Sequence, residues 1–147
     1  MYKLVIILHT LGATIWTGGH LILCLTYLPN ALRTKKIDAI LQFESRFETI
    51  GILALIIQVL TGLWLAFRYN PFITDWFKFN NVYSSTISLK IILLICTLLL
   101  AIDARMRILP KFNIQSINSL AWHIVLITII SVLFSSIGVT AKIGGLF

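Results

Sequence analysis

Charge is scarce in this sequence, and negative charge is scarcest. Asp, Glu, Lys and Arg make up 12% of the 147 residues, and only five residues are acidic. Soluble domains carry about twice that charged fraction, so a water-soluble globule is excluded. Cysteine is nearly absent. Cys24 and Cys96 both sit in apolar runs, which favours two buried thiols over a disulfide. The first apolar run does not read as a cleavable secretory signal, being too long for one and lacking a small-residue cleavage site. Neither a second domain nor a low-complexity segment interrupts the chain.

What the sequence has is apolar length. Hydrophobic residues account for 59% of it, gathered in four runs long enough to cross a bilayer. The expected architecture is a single all-α domain, an integral membrane bundle of four transmembrane helices over about 4–28, 38–67, 88–104 and 119–141. The surplus of Lys and Arg gives a net charge of +7. In a membrane protein such charges orient the helices, so they do not indicate nucleic acid as a partner. Four spans place both termini on one side, here side A. Arg33, Lys35, Lys36, Arg46, Arg105, Arg107 and Lys111 fall on side B, and Lys3, Arg68, Lys78, Lys90 and Lys142 on side A. The excess in the short side B loops predicts that side B is cytoplasmic and that both termini are periplasmic.

Turn signals set the expected ends. Tyr27-Leu28-Pro29-Asn30 predicts the end of the first helix, Asp38 a cap for the second, and Ser116 or Asn118 a cap for the fourth. Pro110 reads as the stop after the third. Arg68 to Thr86 is too polar to span and too aromatic for a free linker, and reads as lying along the membrane interface. On the second helix, Glu44, Glu48, Gly51, Gln58 and Gly62 recur on one face, which must look inward. Ser131, Ser135 and Gly138 form a small-residue face on the fourth.

All three histidines lie in the spans. At about 100° per residue, His9 and His20 fall within roughly 20° of each other. Trp16 shares their stripe, with Gly12 and Gly19 on one flank and Cys24 on the other. Intramembrane ionisable residues are functional candidates. His20 and His123 sit at similar depth near side B, on helices that can face each other. Two neutral imidazoles so placed suit the axial positions of a b-type haem. Gly18, Gly19, Trp16 and Trp122 would wall the macrocycle, and Arg46, Arg105 and Arg107 would hold its propionates. Copper is the alternative: His20 and Cys24 are one turn apart, and His123 and Met106 complete a soft or borderline set. His9 and Lys90, at matching depth toward side A, mark a second candidate site for a substrate carboxylate, a quinone, a porphyrin or a further haem. Glu44 and Glu48 read either as a solvated face paired with Arg33 or Lys36, or as a latch to Arg105 or Arg107.

The run His9-x-x-Gly12-x-x-x-Trp16-x-Gly18-Gly19-His20, with Leu28-Pro29, Phe43-Glu44, Thr61-Gly62-Leu63-Trp64-Leu65-Ala66, Leu89-Lys90, Asp103-Ala104-Arg105, Leu109-Pro110 and Trp122-His123, resembles small bacterial membrane proteins classed with copper resistance protein D. That resemblance runs along the whole chain and implies a four-helix protein of the bacterial inner membrane associated with copper. His9, Tyr27-Leu28-Pro29, Glu44, Arg46 and Lys90 are also similar to the small four-helix protoporphyrinogen oxidase family, which implies haem b binding and an oxidoreductase centred on His9 and Lys90. His20 and His123 lie outside that family's pattern and point to a different or additional metal site. The leading expectation is a haem protein in electron transfer or porphyrin handling, with copper transport or resistance as the alternative. The redox partner and the oligomeric state stay open.

Overall fold

The structure, a computed structural model, describes residues 1–108 and 117–143. Four helical segments are long and apolar enough to cross a membrane: Tyr2–Thr34, Asp38–Tyr69, Val82–Ile108 and Ile117–Thr140. The fold is the expected all-α membrane bundle. The first span is α1 (Tyr2–Ile22), a π turn (Leu23–Tyr27) and α2 (Leu28–Thr34). The second is α3 (Asp38–Tyr69). The third is α4 (Val82–Asp103) followed by a π turn (Ala104–Ile108), and the fourth is α5 (Ile117–Thr140). The α1 helix packs against α3 and α5, α4 packs mainly on α5, and α3 touches α4 at few points. Large aliphatic side chains such as Leu4, Leu25, Leu60 and Leu99 stand exposed on the outer faces, where lipid takes the place of a core.

Several expected ends move. Pro29 does not stop the first span. It falls in the first turn of α2, directly after the π turn Leu23–Tyr27. The helix ends instead at Lys35, in the left-handed conformation at φ 57°. Asp38 does not cap α3: the cap position is Ile37, with no side-chain bond, and Asp38 sits in the first turn, where its charge complements the helix dipole. The third span starts at Val82 and not near residue 88. Asn81 caps it by accepting from the Ser84 amide at 2.9 Å, while the Ser84 hydroxyl accepts from the Asn81 amide at 3.3 Å. Asn118 lies inside α5. Pro110, Lys111 and Ser116 lie outside the described residues.

The aromatic connector folds back and packs. Trp76 is buried, its Nε1 donates to the Asn70 carbonyl at 2.8 Å, and its ring meets Phe67 at 5.0 Å. The Ser88 hydroxyl donates to the Trp76 carbonyl and ties the connector to α4. Phe72, Phe77 and Phe79 remain exposed, as expected at an interface. At the side A ends, Tyr2 and Tyr69 share a hydroxyl hydrogen bond, and Tyr69 stacks on Tyr83 at 4.9 Å. At the side B end a compact apolar cluster forms, with Leu23, Leu28, Ile40, Ile108, Leu120 and Ile124 at its centre.

Candidate functional site

Small residues on α1 set how closely the helices approach. A Cβ on Gly12 would stand 2.9 Å from Cγ of Gln58 and 3.1 Å from the Ala54 carbonyl. The ring of Phe47 lies directly over Gly19, so a Cβ there would overlap the ring carbons. This glycine flank therefore belongs to α3. The other flank belongs to α5: the Thr17 hydroxyl lies 3.1 Å from the Ser131 carbonyl and from the Ser135 hydroxyl. Between the flanks, His9, Trp16 and His20 look toward the inside of the bundle. The stripe seen in the sequence is a real inner face, and the small-residue face of α5 is its counterpart.

His9 reaches α3. Its Nδ1 lies 2.8 Å from the Thr61 hydroxyl, which itself donates to the Ile57 carbonyl at 2.5 Å. A hydroxyl has one proton. With that proton on Ile57, Nδ1 of His9 is the donor to Thr61 and Nε2 keeps its lone pair. Gln58 Nε2 donates to the His9 carbonyl at 3.5 Å, and Gly62 leaves space for the ring, whose Cε1 would be 3.3 Å from a Cβ at that position. On the same half of the bundle, the Lys90 ammonium lies over Gly138, 2.9 Å from where a Cβ would stand. Among the described residues, no carboxylate forms an ion pair with Lys90.

His20 is half-buried, with its ring 4.4 Å from Trp16 and its carbonyl 3.2 Å from the Thr128 hydroxyl of α5. Thr128 stands about one and a half turns past His123, about 7.5 Å along the helix. Cys24 packs against the apolar side B cluster. Met106 is 74% exposed and does not close a site with it.

His123 has a different environment. Nδ1 lies 2.8 Å from the Ser119 carbonyl and Nε2 lies 2.7 Å from Oδ2 of Asp103. Both ring nitrogens lie within hydrogen-bond distance of an oxygen, so a metal at either would have to displace one of these contacts. This does not support His20 and His123 as an axial pair, nor His123 in a copper set. Gly19 is covered by Phe47, and Trp122 is exposed, so two of the expected macrocycle walls lie elsewhere. Arg105 pairs with Glu48 at 2.8 Å and Arg107 with Asp103 at 2.8 Å. The latch alternative for Glu48 is the one realised, and the two arginines engage carboxylates of the chain itself. Sequence reasoning missed the His123–Asp103 contact. Among the described residues, no three His, Cys, Asp or Glu side chains converge on a point.

The family model for copper resistance protein D matches residues 41–141. The match spans α3 to α5 and begins after α1, whereas the sequence resemblance extended over the whole chain. No curated protein and no solved structure matches, and the resemblance to the porphyrinogen oxidase family finds no support among the comparisons.

Proposed function

Because this chain belongs to the copper resistance protein D family, we propose that it handles copper within a bacterial inner membrane, as cargo that passes through it. The family match is the observation that carries this reading. Two local features support it. The rings of His9 and His20 lie on one inward stripe, and Cys24 lies on its flank toward side B. Imidazole and thiolate are ligands that suit copper, the thiolate favouring Cu(I). Sparse ligands spaced along a helix suit an ion in transit better than a closed site, which would gather four donors at one point. Both termini would face the periplasm, with the short basic loops of side B in the cytoplasm.

The test combines cells and purified protein. Cells expressing the chain should differ from vector controls in copper content and copper tolerance. The purified chain, titrated with Cu(I) against a chromophoric chelator, should bind the ion. His20→Ala and Cys24→Ser should each weaken that binding, and His123→Ala should not. A wild type that leaves copper content unchanged and binds no Cu(I) refutes the proposal. A red, low-spin pigment lost in His20→Ala would replace it with haem.

A further inference from the structure

A groove of about 300 Å³ opens on the outside of the bundle at its side B end, between the π turn of the first span and the start of α3. Tyr27, Gln42, Phe43, Arg46, Phe47 and Ile50 line it. We propose that this groove holds an anionic phospholipid of the surrounding bilayer, with the phosphate on Arg46 and an acyl chain running past Phe47 and Ile50. The site is separate from the copper reading and does not rest on it.

Depth is the first reason. The 32 residues of α3 extend about 48 Å at 1.5 Å per residue, longer than a hydrocarbon core of about 30 Å. The uncharged stretch from Ile50 to Phe67 fills that core. Arg46 stands one turn outside it, about 6 Å away along the axis, at the level of lipid headgroups. Ile50 stands at the edge of the acyl region. The groove therefore runs from headgroup to hydrocarbon, as an amphiphile does.

Shape is the second. Tyr27, Phe43 and Phe47 form a continuous aromatic wall, with ring centroids 5.0 Å and 5.4 Å apart. The π turn over Leu23–Tyr27 brings Tyr27 to that wall. The wall is held from behind, since Phe47 is seated on Gly19. Aromatic rings at this depth favour the amphipathic boundary of a bilayer.

Charge is the third. Glu44 and Glu48 are each two residues from Arg46, about 200° around the helix, and Glu48 is bound to Arg105. They leave the groove without a negative group. Among the described residues Arg46 forms no ion pair, and residues 109–116 contain no acidic side chain. A guanidinium fits a phosphate in two parallel hydrogen bonds. A neutral quinone would leave it without a counter-charge. A second copy of the chain has one exposed carboxylate on this side outside the arginine pairs, Asp38, which lies about two turns away from Arg46.

Native mass spectrometry of the full chain in mild detergent, with added phosphatidylglycerol or phosphatidylcholine, tests the site. The wild type should retain phosphatidylglycerol in preference to phosphatidylcholine. Arg46→Gln should reduce that retention about fivefold, the weight of one basic residue at an anionic surface. Arg46→Lys should keep most of it, and Arg33→Gln, in the last turn of α2, should keep all of it. Inorganic phosphate at millimolar concentration should not displace the lipid. Equal retention of the two lipids, no effect of Arg46→Gln, displacement by phosphate alone, retention of a quinone in its place, or a lipid-free dimer cross-linked through residues 43 and 46 would each overturn the assignment. Arg46 is exposed, so the variants keep the fold, which unchanged circular dichroism and thermal unfolding would verify.

Discussion

The imidazole Nε2 of His123 lies 2.7 Å from Oδ2 of Asp103, and the same carboxylate oxygen accepts from Arg107 at 2.8 Å. One acidic side chain at the end of α4 thus joins the third span to the fourth, immediately before the π turn Ala104–Ile108. The His123 side chain is 12% exposed and that of Asp103 34%, so the bond is shielded more on one side than on the other.

Removing either partner should loosen this end of the bundle and little else. His123→Ala should lower stability by about 1 kcal/mol. Asp103→Asn, on the more open side of the bond, should lower it by less, and the double variant should cost less than the sum of the two. Thermal unfolding in detergent measures both, and a double-mutant cycle gives the coupling. Additive effects would show that the contact contributes nothing. Glu48→Gln, which breaks the more exposed pair with Arg105, should change stability by less than about 1 kcal/mol.

Gly19 should tolerate nothing larger. Gly19→Ala puts a methyl carbon where the Phe47 ring now lies and should destabilise by about 1–3 kcal/mol. Phe47→Ala in the same chain should recover part of that loss, because it vacates the seat. Failure of the second change to help would mean that the backbone of α1 moves and not the ring. Gly18 is the control. No neighbouring atom comes within 4 Å of where its Cβ would stand, so Gly18→Ala should be near neutral.

The His9–Thr61 bond should show a modest coupling. Hydrogen bonds between membrane helices average about 0.6 kcal/mol in such cycles. His9→Ala and Thr61→Val should each destabilise and should be non-additive by about that amount. A coupling indistinguishable from zero would show that this contact does not help hold α1 on α3.

Orientation is testable independently of any metal. With both termini periplasmic, alkaline phosphatase fused after residue 147 should be active, and a fluorescent protein fused at the same place should stay dark. The reverse pattern would invert the assignment of sides A and B and leave the helices as they are.

The sequence alone determined the number of spans, the inward stripe of His9, Trp16 and His20, and the small-residue faces of α1 and α5. These follow from apolar length and from a period of about 3.6 residues, both of which are local properties of the chain. The cap at Asn81 was also local, an Asn three residues before a Ser, but it was hidden in a polar connector that also carries structure of its own. Only the tertiary structure decided the partners. That Phe47 fills the place beside Gly19, that His123 Nε2 meets Asp103, and that Arg105 holds Glu48 all depend on the rotation and axial offset of one helix against another. A shift of one residue, about 1.5 Å and 100°, is enough to exchange one partner for another, and no pattern within a single helix encodes it.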